Sequence, residues 1–380
     1  MPTAITDRAA LATTSIHPPQ RLLFGPGPTQ VHPSVYEAMA QPIVGHLDPY
    51  FFQINGEIQR MLREVFDTKN EMTLVISATG TGGMQTAISN FVGEGTKVAV
   101  LVSGYFAERI TEMAQREGAQ VVLLEKAWGE RFSDEEASEF IRRERPEVVA
   151  YVTAETSTGV FQPGEAICSA AHDVGAIVIA DCVTSLGAMP VHVDHAGIDV
   201  AYSCSQKGLS CPSGLSPITV SPRAVERIKA RKHPVRTWYF DLAGISDYYM
   251  GSKRYHHTAP CSMFYALHQG LTLAVDEGIE HRYERHRRAH LQFVRGLEQM
   301  GLHMLVPEGN RIWNVNTPRV PNGVDDAKVR SYLLQKHGIE IAGGFGPLAG
   351  KIWRIGIMGP LATEDNVNMF LERFGEALRA

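Results

Sequence analysis

Residues Ala176-Ile177-Val178-Ile179-Ala180-Asp181 hold the reading on which the fold turns: five apolar residues with no alternation, closed by a carboxylic acid. A strand that is apolar at every position is covered on both faces, the condition of a parallel sheet lying between helices. Similar short runs lie outward from it, at residues 73–77, 98–102, 121–124, 148–153 and 200–204, separated by stretches of helical periodicity. This rhythm predicts an α/β chain with a mostly parallel sheet and with its ligands at the carboxyl ends of the strands.

Beyond Cys261 the pattern changes. Helices are predicted over 261–278 and, rich in arginine, over 280–300. A smaller α+β unit should follow, with strands near 302–306, 313–317, 339–341 and 352–357 and helices over 325–336 and 363–379. The expected division is an N-terminal arm (1–20), a large domain (21–278) and a small C-terminal domain (279–380), a length and layout in which two domains share one site.

The 380 residues are 44% hydrophobic and carry a formal charge of −5. That balance argues against a nucleic-acid or anionic-membrane partner, either of which normally requires a basic face. No stretch approaches the roughly 20 uninterrupted apolar residues that span a bilayer. The five cysteines are odd in number, show no zinc-type spacing and follow no signal-peptide pattern, so the expected setting is a reducing, cytoplasmic one without a bound metal.

The chemistry begins with Asp181. A carboxylate ending a fully apolar strand is costly unless a cation or several donors meet it. Lys207 closes a second strand-like run and precedes the loop-like segment 208–214, where partial desolvation lowers the amine pKa and makes it nucleophilic. Alone, Asp181 could cap a helix and Lys207 could be a solvated loop charge. Between a strand and a helical run lies Ser77-Ala78-Thr79-Gly80-Thr81-Gly82-Gly83, whose small residues let backbone amides approach a phosphate. An ordinary glycine-rich turn is the plain alternative. A dinucleotide fingerprint fits worse, because Gln85 replaces its third glycine and no acid ends the next strand. Phosphate cradle, buried acid and desolvated lysine together are what pyridoxal phosphate requires: one part holds the 5′-phosphate, one keeps the pyridine nitrogen protonated, and one forms the Schiff base.

With these residues the sequence resembles the class V, fold-type I aminotransferases, and among them the alanine:glyoxylate and serine:glyoxylate aminotransferase family. The resemblance runs from Leu22 to the C-terminus through Gly25-Pro26-Gly27-Pro28, Glu155-Thr156-Ser157-Thr158-Gly159, Asp181-Cys182-Val183-Thr184-Ser185-Leu186-Gly187, Ser205-Gln206-Lys207, Tyr255-His256-His257-Thr258 and Gly350-Lys351-Ile352-Trp353-Arg354-Ile355-Gly356. It implies a large domain with a mostly parallel seven-stranded sheet and a smaller α+β domain.

The resemblance also implies roles. Phe106 stacks on the pyridine ring, Val183 packs on its other face, and Thr156 bonds near the ring hydroxyl. Gln206 with Thr79, Gly80 and Thr81 of one subunit, and Tyr255 and Thr258 of the neighbour, close the phosphate site, so a homodimer with shared sites is expected. Arg354 holds the substrate carboxylate, as a guanidinium fork suits it. Gly27 approaches the same carboxylate, and His46 stands near the partner's entrance as a specificity residue or a structural histidine. The implied reaction moves an amino group from L-alanine, or second from L-serine, to glyoxylate. A ureidoglycine:glyoxylate branch is also similar around residues 345–351, but is expected to carry Gln and Asn where this chain has His46 and Tyr255.

Other readings carry less. His286 and His290, one helical turn apart, lack a third metal ligand and read as part of a solvated charged face. Cys204 and Cys211 read as core residues. A cysteine desulfurase needs a mobile cysteine late in the chain, and none follows Cys261. A silent binding module of the same fold would have little use for Lys207, Asp181 and Arg354 together.

Overall fold

Seven strands form the central sheet of the computed structural model, which describes residues 16–380. In chain order they are β1 (Met72–Ile76), β2 (Lys97–Val102), β3 (Gln120–Glu125), β4 (Val148–Val152), β5 (Ile177–Asp181), β6 (Val200–Tyr202) and β7 (Ser216–Val220). The expected N-terminal arm lies outside the described residues over 1–15, and residues 16–20 are exposed coil. Across the sheet the order is β1-β7-β6-β5-β4-β2-β3, parallel throughout except for β7, which runs antiparallel to both its neighbours.

The strand on which the reading began, β5, is buried at all five positions, as its unbroken apolar run dictates. Strand β7 does not stand out in the sequence because Pro217 interrupts it, and proline usually argues against a central strand. Pro217 contributes its carbonyl to the ladder, accepting from the Ser203 N–H at 2.8 Å. The register sets Val152 beside Asp181 and Asp181 beside Tyr202, so three strand ends form one edge.

The helix after β1 spans Gly80–Phe91 rather than starting at residue 84. Its glycines answer crowding. A Cβ on Gly83 would collide with Ser216 Oγ, one on Gly82 with Ala78 Cβ, and one on Gly80 would sit 2.9 Å from Cys204 Cβ. The glycine-rich stretch is therefore the first turn of the helix, pressed against β6 and β7.

Two long helices, Cys261–Glu277 and Ile279–Gln299, lead to the C-terminal residues. There Trp353–Gly356 lies between Val315–Asn316 and Ala342–Gly343 in an antiparallel sheet. The helices Asp326–His337 and Glu364–Arg379 pack on it around a core that includes Phe293, Trp353, Phe370 and Phe374. Leu22–Leu23 pairs in parallel with Ile339–Glu340 and Phe24 is buried in this same core, so the first described strand packs with the C-terminal residues. The strand expected at 302–306 reduces to a single bridge between Met304 and Pro318, since prolines at 307 and 318 cannot donate to a ladder.

The helix Ile279–Gln299 corrects one expectation: His286 and His290 are buried, not part of a solvated face. His286 Nδ1 donates to the Arg282 carbonyl at 2.7 Å, while Nε2 accepts the Gly359 N–H at 3.0 Å. Those partners fix it as a neutral ring, and burial with Arg282 and Arg285 nearby pushes its pKa down to about 3. No described helix is long and apolar enough to cross a membrane, and no cluster of three metal-ligating side chains occurs among the described residues.

Candidate active site

Lys207 lies just beyond β6 with its side chain buried, and its Nζ donates to the Pro26 carbonyl. Burial pushes its pKa down, opposed by Cys204 and Asp181 and reinforced by Arg354. The loop above it has no room to spare. Gly27, at φ +109°, could carry no Cβ without colliding with the Lys207 side chain. That positive φ suits glycine on its own account.

Asp181 is 2% exposed. Its Oδ1 accepts the Val183 N–H at 2.8 Å and its Oδ2 the Tyr202 hydroxyl at 2.8 Å. Burial raises its pKa to about 6, while the two bonds and the charges of Arg109 and Lys207 pull it back. A cation placed against it would restore the carboxylate more firmly still.

Some of the expected residues touch one another near this pair. Gly80 abuts Val183 and Cys204, each near one end of the Asp181–Lys207 pair in the chain. Thr79 begins the Gly80–Phe91 helix without capping it through its side chain. Thr81 Oγ1 accepts from Arg109 Nη1 at 3.2 Å, and the Arg109 guanidinium sits 4.9 Å from the Phe106 ring centroid. Gln206 has a buried Oε1 with no hydrogen-bond partner among the described residues. An unpaired buried acceptor fits a bound water or a ligand with a donor.

A cavity of about 220 Å³ opens beside Lys207, lined by Gly27, Phe106, Thr156, Phe345 and Arg354 among others. Thr156 is buried and its hydroxyl bonds that of Thr184. Arg354 donates through Nε to the Gly343 carbonyl at 2.7 Å, and its guanidinium lies 3.7 Å from the centroid of the Phe345 ring. No carboxylate pairs with it at salt-bridge distance among the described residues. Burial lowers its pKa to about 10, so it stays cationic at neutral pH.

Thr79, Gly80, Thr81, Asp181, Val183 and Gln206 lie outside the lining of this cavity, as do His46, Tyr255 and Thr258. The last three cluster elsewhere: Tyr255 OH lies 3.3 Å from Thr258 Oγ1, and the His46 and Tyr255 rings are 5.2 Å apart. Tyr255 is 55% exposed, and Ile43, Leu47, Tyr36 and Tyr50 are exposed as well. Ser77, just before the glycine-rich turn, bonds His257 at 2.7 Å and so ties this cluster to the β1 end.

Sequence reasoning missed Tyr202, Arg109, Phe345 and Glu155. Tyr202 could have been found only from the register that sets it beside Asp181. Glu155 is fully buried, and burial raises its pKa to about 7 despite bonds from Ser157. The signal for it was an acid in an otherwise small-residue segment beside Thr156.

A buried lysine and a buried acid at neighbouring strand ends, with a free guanidinium across a small cavity, define a site for amine and carboxylate chemistry. The Aminotransferase class-V family model matches residues 21–357, and the chain belongs to that family. A (S)-ureidoglycine–glyoxylate transaminase of Bacillus subtilis is 38% identical over 92% of this chain and 88% of its own length. An alanine–glyoxylate aminotransferase of Drosophila melanogaster is 36% identical over 96% of this chain and 94% of its own. The crystal structure of an alanine–glyoxylate aminotransferase from Nostoc sp. superposes with a TM-score of 0.97 at 42% identity, covering 99% of this chain and all of that one.

Proposed function

We propose that this aminotransferase uses pyridoxal 5′-phosphate held at Lys207 to transfer an amino group from L-alanine to glyoxylate, giving glycine and a 2-oxo acid. The observation that carries the reading is the pairing, at adjacent strand ends, of a lysine and an aspartate that burial has pushed toward neutrality. A phosphate fits the start of the Gly80–Phe91 helix, where the first backbone N–H groups have no partner within the helix. When bound, the cofactor supplies an electron sink for the pair released as the substrate Cα–H bond breaks.

The residues divide the work. Thr79, Gly80, Thr81 and Gln206 would hold the phosphate. Phe106 and Val183 would pack on the ring, and Thr156 would bond near its hydroxyl. Asp181 would keep a proton on the pyridine nitrogen. Arg354, with Gly27 across from it, fixes the substrate carboxylate. The Lys207 amine, whose protonated form burial disfavours, would take up the proton released from the substrate Cα.

Lys207 and Arg354 are the only cations among the described residues lining the cavity, and Glu340 lines it too. That charge pattern favours a donor with one carboxylate and a small neutral side chain, and disfavours aspartate. Serine is the second choice within this class. Ureidoglycine is a second reading, favoured by the Bacillus relative.

The exposed cluster of His46, Tyr255 and Thr258 with Ile43 and Tyr50 supports a homodimer in which those residues reach the neighbour's site. Five buried, unpaired cysteines fit a reducing, cytoplasmic setting. A division at the Ile279–Gln299 helix, into residues 21–278 and 279–380, leaves Phe24 in the C-terminal core around Phe293 and Phe370.

The test is direct. With pyridoxal phosphate the purified protein should gain the visible absorbance of a lysine-bound cofactor, and borohydride should fix the label on the peptide holding Lys207. Lys207→Ala should lose transamination by on the order of 10⁴-fold. A label fixed on another lysine would sink the assignment. Single half-reactions with alanine, serine, aspartate and ureidoglycine then rank the donors, and equal rates for all four would remove the preference for alanine.

A further inference from the structure

The helix Tyr105–Arg116 carries Phe106 on its first turn, yet its N-terminus has no cap of its own. The N-cap position is Gly104, which offers no side chain. A bulkier residue would not fit, because a Cβ there would collide with Glu155 Cγ. The first N–H groups of a helix have no partner within it and need one from outside.

That partner is a different segment. Tyr105 N–H donates to Ser157 Oγ at 3.0 Å, and Phe106 N–H to Glu155 Oε2 at 3.2 Å. Ser157 in turn donates to Glu155 Oε1 through its hydroxyl at 2.6 Å and through its N–H at 3.0 Å. The segment is itself fixed, since the Glu155 carbonyl accepts the Gly159 N–H at 2.8 Å and Ala154–Glu155 pairs with Val160–Phe161. Between the two capping residues stands Thr156, which lines the cavity together with Phe106.

We infer that Glu155, with Ser157, is a positioning residue: it caps the Phe106 helix from outside and so locks Phe106 and Thr156, which face the cavity, in one rigid unit. A carboxylate at a helix N-terminus is also favoured by the helix dipole. This rests on the reading of Phe106 as the residue covering the cofactor, and it adds a residue to which that reading gave no task. Glutamine should serve less well than glutamate: with the Ser157 donors on one oxygen, a side-chain NH₂ in place of the other would face the Phe106 N–H donor to donor, leaving that N–H only its longer approach of 3.4 Å to the first oxygen. The ring covering the site would then be free to shift.

Glu155→Gln and Ser157→Ala test this, with amide exchange of the segment 104–107 in the cofactor-free protein and pyridoxal phosphate binding as the readouts. Glu155→Gln should speed exchange there about fivefold, the scale of a lost cap. It should weaken pyridoxal phosphate binding about tenfold, the scale of a lost bond to a charged group. Its KM for the amino donor should stay within about twofold, because Arg354 is untouched. Ser157→Ala, which keeps the carboxylate, should show the same pattern at smaller size. Unchanged exchange over 104–107, faster exchange with unchanged cofactor binding, or a parallel rise of KM with a fall in Tm would each overturn the inference. Wild-type protein that takes up no pyridoxal phosphate would defeat the proposed function, while the exchange arm would still decide the cap.

Discussion

The site around Lys207 and the joint around Arg282 bury comparable charge in opposite ways. At the joint each of the three Arg282 nitrogens donates: Nε reaches the Gly187 carbonyl at 2.8 Å, Nη2 that of Gly208 at 2.7 Å, and Nη1 the Glu277 carboxylate at 2.9 Å. Arg285 completes the set on Glu277 and on the carbonyls of Gly359 and Ala362. At the site the Arg354 guanidinium uses Nε on one carbonyl and Gln206 Oε1 has no partner. A saturated buried ion stabilises an arrangement, whereas a buried ion with unused hydrogen-bonding capacity is held ready for a ligand. The two regions are connected, since Gly187 ends the loop after Asp181 and Gly208 follows Lys207. Arg282 thus ties the loop that follows Asp181 to the loop that follows Lys207.

The largest effect should come from breaking the saturated region. Arg282→Met leaves two carbonyls and part of Glu277 without partners in a buried place, and should destabilise the protein by about 3–5 kcal/mol, the scale for removing one partner of a buried pair. Chemical denaturation of the cofactor-free protein measures it. A loss under about 1 kcal/mol would mean that the joint does not set the loops, and the contrast would fail.

Arg354→Gln probes the other side. With no carboxylate to be stranded, the substitution should leave stability within about 1 kcal/mol of wild type. It should lower kcat/KM for the amino donor by about 100-fold, the value of a charge-assisted carboxylate contact, chiefly through KM. Steady-state kinetics beside a denaturation curve separates the two regions: one variant should lose stability, the other binding.

How much of this was legible in the sequence follows from where the information sits. Strand β5 could be read because burial on both faces leaves an unbroken apolar run, and Asp181 because an acid at its end contradicts that run. Lys207 and the stretch at 77–83 were legible for the same reason, each being an exception to its surroundings. Strand β7 was hidden by Pro217, whose carbonyl-only place in the ladder depends on its neighbour Ser203. The burial of His286 and Arg282 was hidden too, because arginines on a helix look solvated until the carbonyls they bind are known. Tyr202 and Glu155 act through register and through contacts between distant segments, and a single chain read in order does not display either.

Tyr202 carries the smallest and sharpest prediction. Asp181 has a pKa of about 6, raised by burial above its ordinary value of 3.8. The sign for stability follows: the protonated acid favours the folded, cofactor-free protein below pH 3.8, and that contribution is lost as pH rises through about 6. Cofactor binding should run the other way. A protonated pyridine needs the carboxylate, so affinity for pyridoxal phosphate should fall as pH drops through 6. Tyr202→Phe removes one bond to Asp181 Oδ2, which should move that transition to higher pH and weaken binding at neutral pH about fivefold, the value of one hydrogen bond. Fluorescence titrations of pyridoxal phosphate between pH 5 and 8 would show both. An affinity that is flat with pH in wild type and in Tyr202→Phe would remove Asp181 as the partner of the pyridine nitrogen. It would also erase the distinction drawn here, because Asp181 would then be one more saturated buried ion, like those at the joint.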